Sequence, residues 1–194
     1  MTWDELVLES NTAQNAITWE NCTLRHYLNN DFYNKFSDND KSRIAQRTIA
    51  NNDNPWFGIA GGSNTNDNIF LLSIEEVARY LGDGNLARLP MSADEKFIWD
   101  DSGMPNDANK LKLHKEVGYP NHSFFIDLYG NPKRVAKDIS GAATWWWLRS
   151  PGSRSFGVAF VLDAGVIALC NSDHMLFVKE GFFPGVRPAL WLNL

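Results

Sequence analysis

The sequence predicts an α+β fold with its helices early and an antiparallel β meander late. Leu24, Leu28, Phe32 and Phe36 recur every four residues, forming one stripe of a helix. Ser73-Ile74-Glu75-Glu76 has the form of a capping box ahead of a second helical stripe, Ile74, Val77, Ala78 and Leu81. Gly157–Leu162 and Val166–Cys170 read as the two strands of a hairpin around Asp163-Ala164-Gly165.

Size and composition bound what such a fold can do. At 194 residues, one domain spanning 1–194 is expected, long enough to bury a substantial core. Eight Trp, twelve Phe and five Tyr supply large burial per residue, and Trp and Tyr call for a polar partner when buried. A formal charge of −5 argues against a general nucleic-acid binder, which would carry a basic stripe. No apolar run approaches the length of a membrane helix, and no signal peptide is visible at Met1. A cytoplasmic protein, a virion component or a domain of a surface protein all fit. Cys22 and Cys170 leave two readings, two reduced thiols or one long-range disulfide, with the absence of a CxxC favouring the first.

Along the chain, Trp3–Leu8 fits either a short strand or a first helical turn. The helix of Leu24 to Phe36 sets Arg25, Asn29, Asn30 and Asn34 opposite its apolar stripe. Ser37-Asp38-Asn39-Asp40 resembles a second cap, opening a helix to about Ile49. Residues 51–68 form an Asn- and Gly-rich loop in which Trp56 and Phe57 are pinned to the core. Ile69–Leu72 is a short buried strand, and Gly82 is placed to end the following helix in a left-handed conformation. Ser92–Trp99 offers another short helix. Ser123–Leu128 and Arg134–Ala136 read as strands joined by the Tyr129-Gly130-Asn131-Pro132 turn. Thr144–Leu148, Met175–Val178 and Val186–Leu192 complete the strands.

Catalytic and metal groupings are not apparent. His26, His114, His122 and His174 show no HxH or HExxH spacing, and no four N/S ligands sit at zinc spacing. Gly58-Ile59-Ala60-Gly61-Gly62 lacks the Lys-Ser/Thr of a phosphate loop, and there is no G-x-S-x-G elbow. Trp99-Asp100-Asp101 could contribute to a calcium site, which needs six or more oxygens, but as a lone pair a solvated turn is the favoured reading. No cofactor and no metal are therefore expected. Arg149 and Arg187 lie inside apolar blocks, where an unpaired charge is costly. Substrate binding is one reading; the pinning of loop carbonyls or a carboxylate by five guanidinium donors is the favoured one.

The functional reading centres on residues 144–194. Trp145-Trp146-Trp147-Leu148-Arg149-Ser150-Pro151-Gly152 opens this stretch and Gly185-Val186-Arg187-Pro188-Ala189-Leu190-Trp191-Leu192 closes it. The region between, Ser153–Pro184, mixes aromatic, small and polar residues without a catalytic grouping. Fixed flanks around an irregular middle suggest a frame that holds a display surface.

Those two blocks, with Thr18-Trp19-Glu20-Asn21-Cys22-Thr23-Leu24-Arg25 and Ile69-Phe70-Leu71-Leu72-Ser73-Ile74-Glu75-Glu76, resemble the bacterial and phage domain DUF6273 from Thr18 to the end. The resemblance implies a C-type lectin-like fold of the formylglycine-generating-enzyme type. It also implies the variable target protein of a diversity-generating retroelement, in which adenine-specific mutagenesis of Asn-type codons rewrites surface residues. Such codons never reach Lys, Glu, Gln, Met or Trp, and every residue from Ser153 to His174 lies in the reachable set. On the family's pattern Val158, Ala159, Val161, Gly165 and Ile167 fall at framework positions. Ser153, Arg154, Ser155, Phe156, Phe160, Leu162, Asp163, Val166, Ala168, Leu169, Cys170 and His174 fall where variation occurs, joined by Phe182 and Phe183. Exposed together, Phe156, Phe160, Leu162 and Phe183 would form an apolar patch suited to a macromolecular ligand, protein or glycan. Strand alternation leaves open that Val158, Phe160 and Leu162 line the core instead. The alternatives are an enzyme of the formylglycine-generating type, which would need Cys22 and Cys170 to meet, and a structural phage or cell-surface component.

Overall fold

The computed structural model describes residues 18–54, 57–82, 123–125, 131–152, 155, 157–170 and 185–193, with 123–125 and 170 as backbone only. It is mixed α+β, with short helices and antiparallel ladders. The expectations for Trp3–Leu8, Ser92–Trp99 and Met175–Val178 lie outside the described residues.

The first helical segment runs as α1 (Thr23–Tyr27), a π turn (Leu28–Phe32) and a 3-10 turn (Tyr33–Lys35). Cys22 caps it, its Sγ accepting the Arg25 N–H. Of the four-residue stripe, Leu28 is fully buried, while Leu24, Phe32 and Phe36 pack against the same cluster. Asn29 does not face away as the amphipathic pattern implies. Its Oδ1 accepts the Asn68 and Ile69 N–H groups at 2.8 and 3.1 Å, and its Nδ2 donates to the Ile69 carbonyl at 2.7 Å.

Ser37 caps α2 (Asp38–Arg43) as expected, accepting the Asp40 N–H. The helix does not reach Ile49. It ends at Arg43 and the chain extends into β1 (Ile44–Ala45) and β2 (Arg47–Ile49). Tertiary pairing overrides the local signal: β1 is taken up by Trp191 and Leu192, and β2 pairs with β3 (Thr65–Asp67).

β4 (Ile69–Leu71) leads into α3 (Ile74–Leu81). The capping box is complete: Ser73 Oγ accepts the Glu76 N–H at 3.1 Å, and Glu76 Oε2 accepts the Ser73 N–H at 2.9 Å. Ser73→Ala is expected to cost about 1 kcal/mol, read as a lower urea midpoint with an unchanged slope. Gly82 departs from the expectation of a left-handed cap. Its φ of −163° is extended backbone, open to any residue. A Cβ there would meet the end of the Arg134 guanidinium, which would have to shift to admit a side chain.

The late meander is β5 (Ser123–Phe125), β6 (Ala136–Lys137), β7 (Ala143–Thr144), β8 (Trp146–Pro151), β9 (Val158–Val161), β10 (Ile167–Cys170) and β11 (Pro188–Leu192). Arg134 closes a 3-10 turn, Pro132–Arg134, and does not start a strand. The order β5-β10-β9-β8 forms the main sheet, and β1-β11-β4 a second one. The β9–β10 hairpin is as the sequence predicts. Gly165 takes φ +77° in its turn, and a Cβ there would collide with the Asn131 backbone. The β6–β7 turn is held by Asp138, whose carboxylate accepts from the Ser140 hydroxyl and from the Ser140 and Ala142 N–H groups. Those bonds, the hydroxyl's first, hold its pKa below the usual carboxylate range.

Candidate recognition surface and its frame

Bonds along β8 and at the following Gly152 tie the first tryptophan-rich block to the rest of the fold. Trp146 is completely buried beside Ile74, Val77 and Leu148, and its indole N–H donates to the Arg134 carbonyl at 2.9 Å. The Arg187 guanidinium covers the same ring at 5.0 Å, so the closing block stacks directly on the opening one. Arg149 is buried and has the pinning role favoured from sequence. It donates to the Leu71 and Ala50 carbonyls at 2.7 and 3.1 Å and grips both carboxylate oxygens of Glu76. Ser150 Oγ accepts the first N–H of α3, that of Ile74, at 2.9 Å. The Pro151 and Gly152 carbonyls accept from Asn54 Nδ2 at 2.8 and 3.0 Å.

The closing block is tied to the same strand. The Gly185 N–H donates to the Trp145 carbonyl, and the Trp147 N–H donates to that of Gly185 at 3.2 Å. β11 then inserts between β1 and β4. The chain between Cys170 and Gly185 therefore leaves from β10 and returns to β8, two strands of one sheet.

The described candidate recognition residues do not share an exposed face. Phe160, Leu162, Val166, Ala168 and Leu169 are buried, each at most 8% exposed, which corrects the expectation that they line a surface. The sheet is apolar on both sides. Ala159, Val161, Ile167 and Leu169 pack with α3 on one face. Phe160, Leu162, Val166 and Ala168 cluster with Trp145 and Trp147 on the other, where Trp145 stacks on Phe160 at 5.5 Å between ring centroids. The sequence carried a signal for this. Val158-Ala159-Phe160-Val161-Leu162 and Val166-Ile167-Ala168-Leu169-Cys170 are continuous apolar runs, the mark of strands covered on both faces.

Ser155 is exposed in the β8–β9 turn, which a hydrogen bond from the Gly152 N–H to the Gly157 carbonyl closes at 2.8 Å. Asp163 is half-buried in the β9–β10 turn at the opposite end of the sheet, its Oδ1 accepting the Ala164 N–H. Ser153, Arg154, Phe156, His174, Phe182 and Phe183 lie outside the described residues, and Cys170 is described as backbone only.

Several frame residues escaped the sequence reading. Asp67 is buried and accepts from the Trp19 indole, the Arg25 Nε and the Thr65 hydroxyl, each at 2.8 Å. One carboxylate thereby fastens the Trp-Glu-Asn-Cys block to β3. The family model of DUF6273, a domain of unknown function, matches residues 3–194. The chain belongs to the DUF6273 family. No curated protein and no solved structure matches it.

The match extends the family's reach in front of Thr18 to nearly the whole DUF6273 chain. Each block that carried the resemblance has a bonding role in the frame: Trp19 and Arg25 on Asp67, Glu76 on Arg149, Trp146 under Arg187. Cys22 is a free thiol, and burial pushes its pKa up, which disfavours the reactive thiolate. Among the described residues, no group of three or more His, Cys, Asp or Glu could hold a metal ion, and no helix is long and apolar enough to cross a membrane.

Proposed function

We propose that this DUF6273 chain is a ligand-binding module with a C-type lectin-like frame, the variable target protein of a diversity-generating retroelement, and that its ligand is a macromolecule, protein or glycan. The interlocking of the two terminal blocks carries this reading. Trp145 and Trp147 bond to Gly185 while Arg187 stacks on Trp146, so the intervening stretch begins and ends on a fixed support. A support of this kind lets outward side chains change while the fold persists, and little loop entropy is lost on binding.

The recognition set of the proposal is narrower than the family pattern alone implies. Ser155 and Asp163 remain in it, with Ser153, Arg154, Phe156, Cys170, His174, Phe182 and Phe183 from the sequence. The buried Phe160, Leu162, Val166, Ala168 and Leu169 belong to the support.

The test is a display library randomised at Ser153, Arg154, Ser155 and Phe156. Most members should fold with near-parental melting temperatures, and selection against a panel of cell-surface proteins and glycans should yield binders. Widespread unfolding, or a folded library from which no binder emerges, overturns the reading. The retroelement part is tested separately in the neighbouring DNA. A reverse transcriptase and a near-copy of the last coding stretch differing only at adenines are expected, and finding neither removes that part.

A further inference from the structure

We infer that Asn54 is a positioning residue for the turn that carries Ser155. This rests on the binding reading above and adds to it a residue from a loop outside the framed stretch.

Asn54 is 1% exposed, and its carboxamide bonds on both sides. Nδ2 donates to two consecutive carbonyls, Pro151 at 2.8 Å and Gly152 at 3.0 Å, across 97 and 98 positions of sequence. Oδ1 accepts the Phe57 N–H at 3.1 Å. The Asn54 backbone closes its own loop, with its N–H on the Ile59 carbonyl and its carbonyl accepting the Gly58 N–H, both at 2.8 Å. Gly58 sits at φ +63°, a conformation that side-chain-bearing residues adopt reluctantly.

The grip falls where β8 leaves the sheet. Gly152 is the last described residue before the turn, and its N–H bonds across the turn to the Gly157 carbonyl. Two adjacent carbonyls need two donors from one rigid group, which a carboxamide NH2 supplies. A carboxylate of the same shape would face both carbonyls with acceptors, and a serine hydroxyl would supply one donor. Asn54 thus fixes the Pro151–Gly152 end from which the Ser155 turn departs, while making almost no surface of its own.

Amide hydrogen exchange on the full chain, without ligand, tests this. In Asn54→Asp the Gly152 amide should exchange faster by about tenfold or more, while the Leu169 amide in the sheet core holds its wild-type rate. Gly58→Ala, which strains the same loop and leaves the carboxamide in place, should shift the Gly152 amide in the same direction by less. If Asn54→Asp does not fold, Gly58→Ala decides: a selective rise at Gly152 supports the assignment. Equal rises at Gly152 and Leu169, or no change at Gly152, overturn it, because Asn54 would then be a general stability residue or no constraint at all. No ligand enters the measurement, so its outcome is independent of whether the binding reading stands.

Discussion

Arg149→Ala should destabilise the chain by about 3–5 kcal/mol, enough to remove much or all of the stability of a typical domain. The size follows from what is left behind. The guanidinium joins the Leu71 and Ala50 carbonyls to the Glu76 carboxylate, and its removal takes a donor from both carbonyls and the counter-charge from Glu76. Glu76 is itself shared, since its Oε2 also accepts the Ser73 N–H of the capping box. The cap of α3, the end of β4 and the middle of β8 therefore meet at one ion pair, and losing Arg149 also weakens the start of the helix. Arg149→Lys should recover only a minor part, because one ammonium cannot span two carbonyls and both carboxylate oxygens. Urea unfolding of Arg149→Ala, Glu76→Gln and the double variant checks the assignment. The double variant should be markedly less damaged than the sum of the singles. Additive losses would mean that the two side chains act independently, and the shared node would not exist.

That node also shows what could be read from the residues and what could not. The capping box and the α3 stripe were legible because each is local, set by residues three or four apart. The β9–β10 hairpin was legible for the same reason, from its turn residues and apolar flanks. The pinning role of Arg149 was legible as a class of contact, since a cation inside an apolar block must find acceptors. Its partner was not, because Glu76 lies 73 positions away. The early end of α2 was hidden likewise: Ser37 signals a start, but the pairing of Ile44 and Ala45 with β11 decides the stop. Asn29 read as the polar side of its helix, and Asn54 and Asp67 fell in the turn-rich loop 51–68; only the folded chain shows them buried or half-buried against distant backbone and side chains. The two-sided burial of β9 and β10 is the instructive miss. The resemblance supplied a pattern of variable positions, while the unbroken apolar runs argued for two covered faces, and the structure follows the runs.

Substitutions on that sheet should separate support from surface. Phe160→Asn is expected to cost about 3–5 kcal/mol, and Leu162→Asn about 2–5 kcal/mol, the usual range for losing a large core side chain. Asparagine also brings a carboxamide into the cluster of Trp145, Val166 and Ala168, which offers mainly ring faces and methyl groups. Phe160 has a further loss, because its ring stacks on Trp145 and meets the edge of Trp147 at 5.9 Å. Asparagine is also the informative replacement, since adenine mutagenesis starts from its codons and a position under such variation must tolerate it. Ser155→Asn, Ser155→Tyr and Ser155→Phe, by contrast, should shift stability by no more than about 0.5 kcal/mol, as expected for an exposed turn position. Thermal melts of the five variants, with dye binding to report exposed apolar surface, provide the comparison. If Phe160→Asn melts with the wild type and binds no dye, the second face of the sheet is not a core, and the wider recognition face implied by the family pattern is restored. If Ser155→Tyr unfolds the chain, the β8–β9 turn belongs to the support, and the narrowed recognition set loses its best-described member.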